Sequence, residues 1–145
     1  MEKNGKNILD AFFSEIEKEI AVNPFYFENR VDRFRAAVHE IMVKEKVYHN
    51  PALDRNLMIK RLGVNKNLFT EMFRECFGMP FRDFVNGLRL KESAKFLEQS
   101  DMSIEKISKI VGFGTIRTFQ RLFVAEYKMS PKDYRQMKNK NNKHE

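Results

Sequence analysis

Apolar residues recur along most of this chain with the three- and four-residue spacing of an amphipathic helix. The first apolar stripe lies within residues 8–22, and the Asn23-Pro24 step ends it because proline disfavours the α region at the preceding residue. A second stripe runs from Val31 to Met42 and closes near Pro51. No segment alternates for long with the period of two that marks a β-strand. The pattern therefore predicts an all-α fold that opens with two helices.

Six further helices are predicted between residues 53 and 137, because helix starts and stops punctuate the apolar spacing there. The longest is a central helix that runs from about Pro80 to Gln99, with the proline in its first turn. The last begins at Ser130-Pro131, and we expect the polar residues 138–145 after it to be a frayed, basic tail. The boundary signals are Asp54, Ser103 and Thr115 as N-caps, and Gly63, Gly78 and Gly112 as stops.

Part of this helical region is repeated. The stretch from Met58 to Gly63 aligns with the stretch from Ile107 to Gly112, and apolar positions beyond each glycine also match once the second turn is given one extra residue. Each copy is a short helix, a glycine turn and a second helix, which is the layout of a helix-turn-helix unit. The sequence therefore predicts two helix-turn-helix subdomains joined by the central helix. The matched apolar pairs are Phe69 with Phe119, Met72 with Leu122, Phe73 with Phe123 and Met79 with Met129.

The second helix of each unit, at about residues 65–77 and 115–127, is predicted to bury one face and leave the other free. A free helix face can enter the major groove of DNA, where each base pair shows a distinct pattern of polar groups and methyls. Taken singly, each polar residue on these faces is more typical of a solvated surface, but together they suit base edges. The predicted base contacts come from Asn67, Thr70 and Glu71, and from Arg117, Gln120 and Arg121.

The positive charge of the chain is concentrated beyond its first fifty residues. Residues 1–50 carry 8 Lys and Arg against 9 Asp and Glu, whereas residues 51–145 carry 19 against 11. A one-sided basic charge favours a polyanionic partner. Double-stranded DNA is the partner that the two repeated units also indicate. The rival interpretation is a helical interaction module that binds an acidic protein.

The sequence shows no pattern typical of a catalytic or cofactor site. Its 3 histidines lack the Cys or carboxylate spacing of a metal site, and a Gly-Phe-Gly step at residues 112–114 lacks the strand and third glycine of a phosphate loop. The single cysteine, Cys76, rules out an internal disulfide and fits a reducing compartment. No apolar run reaches the length of a membrane span. We therefore expect a cytoplasmic protein with no cofactor, no metal and no enzymatic activity.

Residues 53–137 resemble the DNA-binding domain of AraC-type transcription regulators. The most specific motifs are the Gly112-Phe113 step and the Ser-Pro-x-x-Tyr-Arg ending at residues 130–135. The resemblance implies two helix-turn-helix subdomains that place their recognition helices in successive major grooves on one face of the DNA. It also implies phosphate contacts near Lys66, Arg74 and Ser130, the last at a helix N-terminus, where anions are favoured.

Three residues depart from the pattern of that family. Ile59 lies where alanine is usual, at the closest approach of the two helices of the first unit, so we expect those helices to move apart or repack. Lys128 lies where many members have glycine, and a strained turn there would cost about 1 kcal/mol. Glu71 brings a negative charge to the DNA surface, which an ion pair with Arg74 would partly neutralise.

The predicted organisation is an N-terminal segment at residues 1–50, a DNA-binding domain at 51–137 and a tail at 138–145. The first segment is too short for the ligand-binding barrel of many family members. One interpretation is that its two helices pack onto the DNA-binding domain and extend the core. The other is that residues 8–22 form a homodimer through the stripe of Leu9, Phe12, Phe13 and Ile16. RNA polymerase is a further candidate partner.

Overall fold

The structure, a computed structural model, describes residues 30–143, so the first predicted helix and the stripe at residues 8–22 lie outside the described residues. Within this range every regular element is helical. After α1 the chain forms a π-helical turn at Glu40–Lys44 and a 3-10 turn at Val47–His49. The α-helices are α1 Arg30–His39, α2 Arg55–Leu62, α3 Lys66–Phe77, α4 Phe81–Gln99, α5 Ile104–Val111, α6 Ile116–Tyr127 and α7 Pro131–Lys143.

Side-chain caps set the start of the short helices. Asp54, Ser103 and Thr115 each accept a hydrogen bond from the backbone N–H three residues later, as the sequence predicts. Asn65, which the sequence analysis did not single out, caps α3 in the same way. The long helix α4 begins at Phe81, so Pro80 precedes it and is not inside its first turn; the Pro80 carbonyl accepts the first helical hydrogen bond.

Residues 30–47 and 53–85 belong to one compact unit that contains α1, α2, α3 and the start of α4. Its core is a chain of phenylalanine rings. The Phe34 ring of α1 meets the edges of Phe69 and Phe73 of α3, with ring centroids 5.9 and 6.4 Å apart. Phe84 packs edge-on against Phe73 at 5.2 Å. The second predicted N-terminal helix thus extends the core of the first helix-turn-helix.

Residues 48–52 and 86–143 belong to a second compact unit. A buried arginine holds the short segment onto it, because the Arg89 guanidinium donates hydrogen bonds to the carbonyls of Tyr48 and Asn50. Both carbonyls precede the predicted domain start at residue 51, so this segment is built into the second unit. The apolar core of the unit contains Leu90, Ala94, Leu97, Ile107, Val111, Phe113, Phe119, Phe123 and Tyr134.

The last helix is longer than the sequence predicted. We expected a frayed tail from Lys138, but α7 continues through Lys143. No glycine or proline follows Pro131, so the two strongest signals for the end of a helix are missing there. Met137 packs against the core of the second unit, and the Lys138 ammonium lies 5.4 Å from the Tyr134 ring centroid. These contacts hold the helix as far as Lys138, and residues 139–142 continue it as an exposed segment.

Candidate nucleic-acid interface

The recognition helix of the first unit, α3, has one aromatic face and one polar face. Phe69 and Phe73 are 1% and 2% exposed, which fixes the side of the helix that faces the core. The polar residues predicted to meet DNA all lie on the opposite side. Each of Lys66, Asn67, Thr70, Glu71 and Arg74 is exposed.

The recognition helix of the second unit, α6, repeats this arrangement. Phe119 and Phe123 are fully buried, whereas the predicted contact residues Arg117, Gln120 and Arg121 are exposed. Val124 lies three residues beyond Arg121 on the same helix face and is 45% exposed, although it is apolar. The sequence analysis missed Val124; its position corresponds to that of Arg74 in the first unit, which is the signal that points to it.

The connection between the helices also follows the repeat. Gly63 and Gly112 both end their helices with a positive φ, at 68° and 109°. In the second unit the buried Ser108 hydroxyl lies 3.5 Å from the Thr115 carbonyl and donates to it, which ties α5 to the start of α6. Ile59, at the equivalent position of the first unit, is only half-buried.

Thr70 has a more constrained side chain than a surface residue usually has. Its hydroxyl donates to the Lys66 carbonyl one turn earlier, at 3.1 Å. It also accepts a hydrogen bond from the guanidinium of Arg55, at 3.2 Å. Arg55 is the first residue of α2 and was not among the predicted site residues, because fifteen positions separate it from Thr70.

The predicted ion pair between Glu71 and Arg74 is not formed in the described part of the chain. The ion pairs seen there involve other residues, among them Arg61 and Glu45, whose guanidinium and carboxylate approach to 2.9 Å. Glu71 and Arg74 are both exposed, and an exposed pair three residues apart gains little energy in water. The Glu71 carboxylate is therefore presented on the recognition helix without that neutralisation.

Ser130 lies at the start of α7, as predicted, but its hydroxyl has a local task. It accepts a hydrogen bond from the Asp133 backbone N–H at 3.1 Å and so acts as the N-cap. Further along α7, the Arg135 guanidinium donates to the carbonyls of Leu97 and Ser100, at the end of α4. The Tyr134 hydroxyl donates to the Glu98 carboxylate, and burial raises the pKa of this tyrosine. The Ser-Pro-x-x-Tyr-Arg motif therefore holds α7 against α4 within the second unit.

The cysteine and one of the histidines considered in the sequence analysis are buried in the structure. Cys76 is buried, and burial raises the pKa of its thiol, so it behaves as a small apolar residue. His39, for which a surface or a satisfied position was expected, is 3% exposed. Among residues 30–143 no group of His, Cys, Asp and Glu is arranged to hold a metal ion. No helix in that range is long and apolar enough to cross a membrane.

Both α3 and α6 bury an aromatic face and expose a polar face, and each follows a turn that ends in an N-cap residue. This arrangement defines a protein with two helix-turn-helix units. The "Helix-turn-helix domain" family matches residues 58–137. The chain belongs to the AraC-type helix-turn-helix family and is a sequence-specific DNA-binding transcription regulator.

Several known proteins are similar to this chain in sequence or in fold. "Probable transcription factor PqrA" of Proteus vulgaris is 27% identical over 94 residues, which cover 65% of this chain and 77% of PqrA. The "HTH-type transcriptional regulator GlxA" of Rhizobium meliloti is 32% identical over 79 residues, which cover 54% of this chain but only 24% of GlxA. In fold, the chain is similar to the C-terminal domain of the response regulator yesN from Fusobacterium nucleatum, with a TM-score of 0.66 and 23% identity over 71% of this chain and 98% of that one.

Proposed function

We propose that this regulator reads duplex DNA by inserting α3 and α6 into two successive major grooves on one face of the double helix. The observation that carries the proposal is the shared design of the two helices, which bury an aromatic face and expose a polar one. In this proposal the base edges are read by Asn67, Thr70 and Glu71, and by Arg117, Gln120 and Arg121. Each of these side chains is exposed on its helix.

Phosphate contacts would fix the position of the protein on the DNA without reading sequence. We assign them to Lys66 and Arg74 at the two ends of the first recognition surface, and to the start of α7 at Ser130. The Ser130 hydroxyl is used as a helix cap. At that point the phosphate would therefore meet the partial positive charge of the helix N-terminus.

The other partners follow from the function and are also proposals. A homodimer through residues 8–22 would place two double helix-turn-helix domains on one operator. RNA polymerase is the expected second partner if the regulator activates transcription. Because its target is DNA, we place its action in the cytoplasm. The alternative of an interaction module for acidic proteins has no observation in its favour beyond the net charge.

Selection of bound sites from a random pool of duplex DNA tests the proposal. We expect an enriched motif with two blocks for each bound chain, whose centres are about 10 base pairs apart, the repeat of the major groove. A variant with Arg117→Ala and Arg121→Ala should lose one block, and a variant with Asn67→Ala and Thr70→Ala should lose the other. A pool without any enriched motif would contradict the proposal, and a single block would show that only one unit reads bases.

A further inference from the structure

Arg55 contacts the recognition surface of the first unit from a different helix. It is the first residue of α2, and its Nη1 donates to Oγ1 of Thr70 in the middle of α3. The ion pairs seen among the described residues do not include Arg55. The hydrogen bond to Thr70 is therefore the interaction that places this guanidinium at the edge of the proposed DNA-reading face.

This contact determines what Thr70 can offer to a base. A threonine hydroxyl has one proton, and that proton is donated to the Lys66 carbonyl. Its oxygen also accepts from Arg55. With the proton committed, the hydroxyl cannot donate to the N7, O6 or O4 acceptors of the major groove. One lone pair of the oxygen stays open to an adenine N6 or cytosine N4 amino group, and the Cγ2 methyl is the group of this exposed side chain that can meet a thymine methyl.

We infer that Arg55 is a positioning residue that locks the rotamer of Thr70, so that Thr70 recognises the C5-methyl group of a thymine. The inference rests on the proposed function of α3 and assigns to Thr70 one of the chemistries that a threonine could use. Arg55 acts through the orientation of Thr70, since one of its five donors holds the Thr70 hydroxyl. The methyl of Thr70 then meets the base by apolar contact.

The second unit provides an internal comparison. In the repeat, Ile104 takes the position of Arg55 and Gln120 that of Thr70. Ile104 packs against the apolar core of the second unit and has no donor. The hydrogen bond between Arg55 and Thr70 therefore has no equivalent in the second unit, and its effect should be confined to one base pair within the block that α3 reads.

Deoxyuridine isolates the methyl group, because it differs from thymidine only at C5. In a site obtained by selection, each thymine in the block read by α3 is replaced in turn by deoxyuridine, and affinities are compared. We expect one position where the loss of the methyl lowers affinity by about fivefold, the low end of the cost of a mismatch. Thr70→Val, which keeps the methyl group, should retain this discrimination, and Thr70→Ser, which removes it, should abolish it.

A double-mutant cycle then tests the role of Arg55. In the wild-type background, Arg55→Ala should reduce the preference for thymidine over deoxyuridine about fivefold, which removes it. In the Thr70→Val background there is no hydroxyl to hold, so Arg55→Ala should leave the preference unchanged. Arg61→Ala is the matched control, since it removes the same charge from α2 and breaks only an exposed pair with Glu45. Thermal melting of each variant verifies that it is folded.

Different failures have different meanings. If no thymine position responds to deoxyuridine while the site is still selected, the inference is wrong and the proposed function stands. If Arg55→Ala changes the discrimination equally in both backgrounds, Arg55 acts directly on the DNA and does not position Thr70. If the selection itself yields no site, the proposed function fails and the inference fails with it.

Discussion

Four helices of the two units end at a residue whose backbone has the left-handed conformation, and one of these four residues is not glycine. α3 ends at Gly78 with a φ of 68°, whereas α6 ends at the equivalent residue Lys128 with a φ of 63°. The sequence predicted a strained turn here, and the structure confirms the backbone conformation that causes the strain. A lysine in this conformation costs about 1–2 kcal/mol relative to glycine, because its β-carbon crowds the following carbonyl.

Replacement of Lys128 by glycine should therefore stabilise the protein. We expect Lys128→Gly to raise the free energy of unfolding by about 1 kcal/mol, measured by urea denaturation. The hydrogen bond from Lys128 Nζ to the Ala125 carbonyl is exposed and should offset little of this gain. The reciprocal change in the first unit, Gly78→Lys, should destabilise by a similar amount. A neutral result for both would mean that these turns relax to another backbone conformation.

Gly112 and Gly63 occupy equivalent turns but differ in their surroundings. A β-carbon on Gly63 would meet no atom within 4 Å, whereas one on Gly112 would lie 2.1 Å from the Tyr48 carbonyl oxygen. The Tyr48 carbonyl is held there by Arg89. We expect Gly63→Ala to cost about 1 kcal/mol, the backbone strain alone. Gly112→Ala should cost roughly 3 kcal/mol or more, because it also displaces a buried hydrogen-bonded segment.

Urea denaturation of the two alanine variants separates these contributions. Equal losses of stability would show that residues 48–52 are not held against the Gly112 turn in solution. An Arg89→Ala variant is the complementary probe, since it leaves the turn intact and removes the donor to both Tyr48 and Asn50. Its loss of stability should approach that of Gly112→Ala.

At the scale of the helices, local rules explain most of what the sequence predicted. Helix caps and apolar spacing depend on residues three or four positions apart, so Asp54, Ser103 and Thr115 could be identified in advance. The contacts that were missed join residues distant in sequence. Arg89 reaches Tyr48 across 41 positions and Arg135 reaches Leu97 across 38. The sequence placed Arg135 in a motif, but the carbonyl partners of both arginines could not be identified until the fold brought them together.

The aromatic faces of α3 and α6 give the second element-scale prediction. Phe69 and Phe119 occupy matched positions of the repeat and are 1% and 0% exposed. Each change to alanine should destabilise its unit by about 3–5 kcal/mol, because it removes a buried ring and leaves a cavity. Thermal melting measures the effect, with Arg74→Ala as an exposed control that should shift the melting temperature little. A thermally silent variant at either position would contradict the alignment of the two units there.

At the scale of the whole molecule, the distribution of charge predicts how binding depends on salt. Residues 51–145 carry 19 Lys and Arg against 11 Asp and Glu. With roughly 6–8 phosphate contacts, the logarithm of the association constant should fall against the logarithm of salt concentration with a slope of about −5 to −7. Titrations at several salt concentrations on the selected site measure the slope. A slope near zero would show that phosphate contacts contribute little.

The sequence indicates only in part how much each unit contributes to sequence discrimination. The identity of a side chain shows which bases it can pair with, but not which base it meets. Arg117 and Arg121 are exposed on one face of α6, and an arginine paired with guanine discriminates by roughly 1–3 kcal/mol. The first unit instead presents Glu71 without its expected partner, and its half-buried Ile59 lies at the position where we expect the two helices to move apart or repack. We therefore expect the second unit to carry more of the sequence discrimination.

Binding of single-arginine variants to a library of altered sites tests this expectation. Arg117→Ala or Arg121→Ala should relax the preference at one or two base pairs of the block read by α6. Lys66→Ala, which removes a proposed phosphate contact, should instead weaken all sequences about equally and reduce the salt slope by about 1. If the two arginine variants lost affinity uniformly and kept the same preference, these side chains would bind phosphates. Base reading would then have to come from Asn67, Thr70 and Gln120.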